Sequence, residues 1–332
     1  MTDQLFQKFS TSTVLVIGDL MIDAYLNGSV GRISPEAPVP IVDIKERTYR
    51  PGGAANVALN ISSLGGTPLL CSLTGEDEKG QLFRQLMDEH GIPTRHIHPS
   101  PDRKTTVKYR VIGNRRQMLR IDDESLHPLT PREHSLLMEN IREIFQHSKI
   151  HAVIFEDYDK GVTTPELIGE VVALARSQGI PVTVDPKKRN FSQYKNVTLF
   201  KPNLKELLEG TSTPPTEFQP ELVHSLMKQL AQNQEIEHVF TTLSEHGVAL
   251  YDHSQDTFQT EPAYLRKISD VSGAGDTVIA VATLCLAAGL PLHSVCQIAN
   301  LAGGIVCEYQ GVTPIPKQQL HEEIQRHHLL DS

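Results

Sequence analysis

The sequence is short of most features that tie a protein to a large charged or apolar partner. Basic residues are not in excess: 31 lysines and arginines stand against 40 aspartates and glutamates, for a formal charge of −9. That balance argues against a general nucleic-acid binder, because no bulk positive field draws in phosphate backbones. It leaves room for a local basic patch that holds one small anion. Long hydrophobic runs are missing too. The longest nearly apolar stretch, Val278–Leu292, contains Gly289 and Pro291 and is too short to span a bilayer. The start, "MTDQLFQKFSTSTVLVIGDL", carries Asp3 and a lone Lys8 and has no apolar core ahead of a small-residue cleavage site, so no signal peptide is expected. Cysteines are few. Cys71, Cys285, Cys296 and Cys307 form no C-x-x-C pair and sit among apolar neighbours, as buried, reduced thiols do. These absences predict a cytoplasmic protein with neither nucleic acid nor membrane as partner.

Several nucleotide motifs are absent as well. Val278 stands where the third glycine of a G-x-G-x-x-G fingerprint would follow Gly273 and Gly275. No G-x-x-x-x-G-K-[ST] loop occurs, nor do the H-R-D and D-F-G elements of protein kinases. The fifteen histidines are dispersed, and His96-Ile97-His98 and His327-His328 suit a solvated or capping role better than a metal site. No internal repeat is present. One polar surface loop is expected at Gly210–Pro220, "GTSTPPTEFQP".

What is present is an alternation of strand and helix patterns. "TVLVIG" (Thr13–Gly18) is a continuous apolar, β-branched run, as a strand buried on both faces should be. Strands are expected also at Pro68–Leu73, His151–Phe155, Pro181–Val184, Val197–Phe200 and His238–Thr242. Helices are expected at Ala54–Leu64, Lys79–His90, Pro165–Gln178, Leu204–Glu209, Glu221–Gln232, Gly275–Ala288 and Leu292–Cys307, with a short tail helix after them. This order predicts one α/β domain over 1–332, a doubly wound, mostly parallel sheet with helices on both faces. Two segments break the pattern. Ala24–Arg50 is proline-rich with a strand-like "PIVDI", and Lys104–Asp123 reads as a hairpin joined at Gly113-Asn114. Both are expected in a small sheet projecting as a lid, with edge strands on the main sheet as the alternative.

The stretch "ISDVSGAGDTVIA" (Ile268–Ala280) carries the chemistry. A glycine-rich turn opening a helix leaves several amides unpaired at the positive end of the dipole, a seat for an anion. Gly273 and Gly275 let the backbone approach that anion without a Cβ in the way. Asp276 beside such a seat makes sense if it takes a proton from a hydroxyl that receives a phosphoryl group, while the amides stabilise moving charge. It makes equal sense, on local sequence alone, as a helix cap.

The segment Asp270–Asp276 resembles the second signature of the ribokinase-like carbohydrate kinases, the PfkB family. "PGGAANVALNISSLG" (Pro51–Gly65) resembles the first signature, and "KPNLKE" and "TTLSEHG" (Thr241–Gly247) resemble two further marks in the family's order. The resemblance implies a ribokinase-like fold, ATP and Mg2+ as cofactors, and roles for particular residues. Asp276 matches the catalytic base, and the amides of Gly273, Ala274 and Gly275 match the anion hole. Asn203 and Glu206 match the motif that organises Mg2+, usually through water, although the pair also makes a helix capping box. Thr242, Ser244, Glu245 and Gly247 match the turn bordering the nucleotide, and Asn300 falls where the last long helix passes the adenine. Nearby Gly303 and Gly304 suit tight helix packing better than a nucleotide contact. Asp19 and Asp23, in "GDLMIDAY", match carboxylates near the sugar, with strand-end capping an alternative for Asp19. Gly52, Gly53 and Asn56 match the sugar-contacting turn.

Four stretches, "GRISPEAPVPIV" (Gly31–Val42), "QMLRIDDE" (Gln117–Glu124), "EDYDKG" (Glu156–Gly161) and "VDPKKRNF" (Val184–Phe191), resemble the heptose-phosphate kinases of bacterial lipopolysaccharide assembly. That likeness implies a small-molecule partner, D-glycero-D-manno-heptose 7-phosphate, phosphorylated at C1. Lys188 departs from the glycine usual after Asp-Pro-Lys. A substrate that already bears phosphate needs cations, and Lys108, Arg110, Arg120 and Lys187 are the candidates. Lys108 and Arg110 share one strand face; a solvated lid face is the plainer alternative. Many relatives carry a fused nucleotidyltransferase with an H-x-G-H motif. None occurs here, so a separate adenylyltransferase is expected. A projecting sheet with an exposed face predicts a homodimer through the lid.

Overall fold

The computed structural model describes residues 1–330; Asp331 and Ser332, the end of the expected domain 1–332, lie outside the described residues. Among the described residues, thirteen strands form two sheets. In chain order they are β1 (Thr13–Gly18), β2 (Leu20–Ile33), β3 (Pro40–Gly53), β4 (Thr67–Gly75), β5 (Ile97–Ser100), β6 (Thr106–Gly113) and β7 (Arg116–Asp123). Then follow β8 (Ala152–Glu156), β9 (Val182–Asp185), β10 (Leu199–Phe200), β11 (His238–Thr242), β12 (Val248–Asp252) and β13 (Thr257–Glu261).

The large sheet has the order β13-β12-β11-β10-β9-β8-β1-β4-β5. Its strands pair in parallel from β11 through β5, and only β12 and β13 join antiparallel at one edge. Alternation along β1 explains the layering. Val14 and Val16 enter one core with the helices Ala54–Ser63, Ala274–Ala287 and Leu292–Val306. Leu15 and Ile17 enter the other, with helices Pro131–His147, Pro165–Ser177 and Pro220–Gln234. A strand covered on both sides has to be apolar at every position, which is why β1 shows no polar alternation. Helix Ala274–Ala287 is buried nearly all round, so it runs between layers and not along the surface.

Expected helices and core strands lie within about two residues of those observed. Sequence reading had no counterpart for helices Thr2–Ser10 and Pro131–His147 or for strands β5, β12 and β13. Helix Pro131–His147 nevertheless carries a clear start: Thr130 accepts from the Glu133 amide while Glu133 returns a bond to the Thr130 amide, with Pro131 in the first turn.

The second sheet, β3-β2-β6-β7, stands apart from the first. It is the expected lid, but larger than Ala24–Arg50 and Lys104–Asp123 suggest. β2 begins at Leu20, one residue beyond β1, and β3 runs on to Gly53 at the start of helix Ala54–Ser63. The lid is therefore rooted directly in the core. The hairpin between β6 and β7 turns at Asn114 and Arg115, both with positive φ (52° and 64°), one residue later than expected. Asn114 docks that turn by bonding both the amide and the carbonyl of Val30.

Candidate active site

In a parallel sheet, ligands gather beyond the carboxyl ends of the strands where the chain reverses its direction of progress. Here that point is β1, whose neighbours are β4 on one side and β8 on the other. Charged residues stand at this edge: Asp19 after β1, Glu156 ending β8, Asp185 ending β9, and Lys201 after β10.

Asp276 faces the same edge from the first turn of helix Ala274–Ala287 and is buried. Asn56 donates to its Oδ2 at 2.7 Å, and the Tyr158 hydroxyl donates to its Oδ1 at 2.8 Å. Burial raises its pKa above the ordinary aspartate value; the Asn56 bond opposes this and the nearby Asp185 charge adds to it. Gly273 caps the helix in the left-handed region, with φ 81°, and a Cβ there would lie 2.8 Å from Asn56 Nδ2. A Cβ on Gly275 would sit 3.5 Å from Asp185 Oδ2 and Lys201 Nζ, inside the polar cluster. Gly273 and Gly275 thus lie between Asn56 on one side and the Asp185–Lys201 pair on the other, whereas the Ala274 amide, expected as part of the anion hole, donates to the Val271 carbonyl at 3.3 Å within the turn.

Glu156, Asp185 and Asp276 bring carboxylate oxygens within 4.8 Å of one another. Lys201 neutralises Asp185 at 2.7 Å, but both Glu156 oxygens and Asp185 Oδ1 are buried without a hydrogen-bond partner. Burial, then the Asp185 charge, pushes the Glu156 pKa well up. Converging carboxylate oxygens that lack a hydrogen-bond donor suit a hard divalent cation that prefers oxygen. Asn203 and Glu206 lie beside this cluster with their own bonds already made. Asn203 accepts from the Glu206 amide at 2.8 Å, Glu206 Oε2 accepts from the Asn203 amide at 2.9 Å, and Glu206 Oε1 pairs with Lys187. The capping box is real, and the unpartnered oxygens lie on residues that sequence reading did not single out.

The expected nucleotide residues lie next to one another. Asn203 bridges to Thr242 in parallel fashion, and Ser244 and Glu245 are exposed in the turn that follows. Gly247 (φ 87°) and Asn300 both pack against Pro262: a Cβ on Gly247 would meet the Pro262 carbonyl carbon at 2.6 Å, and Asn300 donates to the Pro262 oxygen at 2.9 Å. Gly303 and Gly304 serve packing, against Val278 and the Arg266 side chain.

Register explains the lid's inner face. Asp23 pairs with Arg50 and Lys108, Tyr25 with Thr48 and Arg110, and Arg110 with Arg120. Paired residues share a face, so the polar side chains of four strands line up. Gly52 leaves room for Asp23, since a Cβ would lie 2.2 Å from its Oδ2; Gly53 (φ 60°) would clash with the Asp19 carbonyl at 2.4 Å. Asp23 forms a salt bridge with Arg110. Beneath this face is a cavity of about 680 Å³ lined by Tyr25, Arg50, Arg110 and Arg115 from the lid and by Asp270 and Ser272 from the loop before Asp276. Arg50 ties the lid to the opposite wall through the carbonyls of Gln310 and Val312, at 3.0 and 2.8 Å. Lys108 stands over the Tyr158 ring, its ammonium pKa lowered chiefly by burial.

Three sequence candidates are already engaged by other residues. Arg120 is exposed, forks onto Asp122 and does not line the cavity. Lys187 sits beside Glu206 and Asp185, on the side of the carboxylate cluster and away from the lid cavity; the Asp185 and Glu206 charges raise its pKa against burial. Asp19 is saturated by the amides of Tyr158, Lys160 and Val162 at 2.8, 3.0 and 3.1 Å, so it shapes the loop after β8. Burial, with Asp157 beside it, brings its pKa up to about 6.

The sequence pattern described as pfkB family carbohydrate kinase matches residues 11–318. The chain belongs to this family. It is an ATP-dependent carbohydrate kinase, working with Mg2+. It is 40% identical over 312 residues to the bifunctional protein HldE of Methylobacillus flagellatus, covering 94% of this chain and 63% of that protein. The bifunctional protein HldE of Rhodospirillum rubrum is 39% identical, with 92% and 61% covered. The chain thus spans about three fifths of the length of these curated relatives. Among solved structures, phosphofructokinase-2 from Escherichia coli in complex with potassium superposes with a TM-score of 0.78 at 21% identity, covering 95% of this chain and 99% of that one. Ribokinase of Arabidopsis thaliana complexed with ribose and ATP gives 0.72 at 17%, covering 94% and 98%. At these identities the likeness speaks for the fold.

Proposed function

We propose that the chain transfers the γ-phosphoryl group of ATP to the C1 hydroxyl of D-glycero-D-manno-heptose 7-phosphate, giving the 1,7-bisphosphate. The observation that carries this reading is the arginine-lined cavity between lid and core, which opens beside the loop leading to Asp276. Arginine suits a phosphate because its planar fork gives paired, charge-assisted hydrogen bonds. A sugar whose phosphate end lies against Arg110 and Arg115 points its far end toward the base. The heptose-kinase resemblance of Gly31–Val42, Gln117–Glu124, Glu156–Gly161 and Val184–Phe191 supports the seven-carbon choice.

In this reading Asp276 accepts the proton of the attacking hydroxyl, and the amides of Gly273 and Gly275 meet the charge that builds on the transferred group. Glu156 and Asp185, with the Asn203–Glu206 cap beside them, would hold Mg2+, which neutralises phosphate charge when bound. Thr242 to Gly247 and Asn300 border the nucleotide. The product's anomeric phosphate is the handle for adenylyl transfer. The exposed apolar side chains Leu119 and Ile121 on β7 suit a second copy of the lid, as in a homodimer.

The test is ADP release against a panel of acceptors: heptose 7-phosphate, fructose 6-phosphate, and the same sugars without phosphate. Highest kcat/KM with the heptose 7-phosphate is expected. Preference for fructose 6-phosphate replaces the sugar, and preference for an unphosphorylated acceptor removes the arginine argument altogether.

A further inference from the structure

Tyr158 touches three parts of the site at once, and none of the steps above uses it. Its amide is held by Asp19, and its hydroxyl donates to Oδ1 of Asp276 at 2.8 Å. Lys108 from β6 approaches the ring centroid to 4.7 Å, and Lys187 from the loop after β9 approaches it to 5.2 Å. Ammonium groups are attracted to the electron-rich ring, so a lid residue and a core residue both fix its place. The second Asp276 oxygen is taken by Asn56. A carboxylate with one donor is free to swing about its last torsion; two donors on different oxygens fix its plane. The lone pairs left open are then the ones an incoming hydroxyl meets.

We propose that Tyr158 is a positioning residue: its hydroxyl sets the plane of the Asp276 carboxylate, and its ring, held by Lys108, links that plane to the lid. This rests on Asp276 being the base. During transfer the acceptor O–H bond breaks as the new O–P bond forms, and the proton goes to Asp276. The bond from the γ-phosphorus to the ADP oxygen breaks, and Tyr158 keeps its own proton throughout. Fixing a reacting group ahead of the reaction lowers the barrier without tightening substrate binding.

Tyr158→Phe removes the hydroxyl and keeps the ring and its two lysines. With ATP and either heptose 7-phosphate or fructose 6-phosphate, kcat is expected to fall about tenfold, the worth of one charge-assisted hydrogen bond. KM for ATP and acceptor should stay within about twofold, because uniform binding is untouched. Placed in an Asp276→Asn background and followed in single turnovers, the same change should have no further effect. An unchanged kcat in Tyr158→Phe overturns the proposal and leaves the base intact. So does a large rise in KM at constant kcat, which makes Tyr158 a binding wall, or an equal loss on both backgrounds. Near-normal turnover in Asp276→Asn removes the base itself, a result that Tyr158→Phe alone cannot produce. Thermal melting of each variant separates these outcomes from misfolding.

Discussion

Asn56 donates a 2.7 Å hydrogen bond to Oδ2 of Asp276, joining residues 220 positions apart. The two family signatures therefore meet as one unit, each at the start of its own helix. Gly273 permits the contact, since any Cβ there would press on the Asn56 amide. Asn60 extends the chain by donating to the Asn56 carbonyl at 2.8 Å, and its own Oδ1 accepts from Thr277 and from the amide of Ile315. Asp276 is held by a buried polar network, and such networks lose more than one bond when a member is removed.

Asn56→Ala tests that network. It leaves the buried Asp276 carboxylate without one of its two donors, at a cost of about 1–3 kcal/mol. We expect kcat to fall by about tenfold to a hundredfold and the melting temperature to drop by several degrees. Steady-state kinetics and a thermal melt on the same preparation read both. Wild-type kcat in a folded Asn56→Ala protein would show that the contact plays no part in turnover.

The pH dependence has a definite sign. Burial raises the Asp276 pKa, so this carboxyl, the base of the proposed reaction, loses its proton only above the ordinary aspartate range. The rate, kcat/KM, should rise as pH rises through that elevated value. Removing the Asn56 bond takes away a stabiliser of the charged form, so the acid limb of Asn56→Ala should lie at higher pH than in the wild type. An acid limb that stays put assigns it to a different group.

Asp19 makes a separate prediction about stability. Its pKa of about 6 in the folded state exceeds the unfolded value, so folding binds a proton more tightly. The resulting stability is fully present below the unfolded pKa and is lost as pH rises through about 6. Two pKa units correspond to a loss on the order of 3 kcal/mol. Chemical denaturation between pH 4 and 7 should show this falling contribution in the wild type, and a flatter profile in Asp19→Asn. A slope unchanged by the substitution would trace it to other groups.

The parallel strands were legible because a strand covered on both faces must be apolar throughout, as "TVLVIG" is. Asp276 and Asn203 were legible because glycines and capping residues leave local marks. Glu156, Asp185 and Lys201 carried a signal that was available but not used: each is a charged residue at the carboxyl end of a buried apolar strand, and the fold brings those ends to one edge. Arg50 and Tyr25 carried none. Their place over the cavity follows from the pairing of β2 with β3, and register is not written in either strand alone. Arg120 shows the converse. The sequence marked it as a candidate cation and strand pairing sets it opposite Arg110, yet Asp122, two residues along the same strand, holds it at the surface.

Arg110 offers the sharpest test of what the cavity holds. Its guanidinium lines the cavity, pairs with Asp23 and lies 5.3 Å from the Tyr25 ring, so two lid neighbours keep it aimed. Arg110→Gln keeps much of the length and a hydrogen-bonding end but removes the charge. Losing one charge-assisted contact to phosphate costs about 1.5–3 kcal/mol, which is a rise of about tenfold to a hundredfold in KM for the sugar phosphate. The KM for ATP should not move, because Arg110 is on the lid and the turn proposed to border the nucleotide follows β11. Comparison with the unphosphorylated sugar completes the argument: a contact made only to the substrate's phosphate leaves that KM unchanged. An equal rise for both acceptors would instead make Arg110 a support for Asp23, with the phosphate held elsewhere.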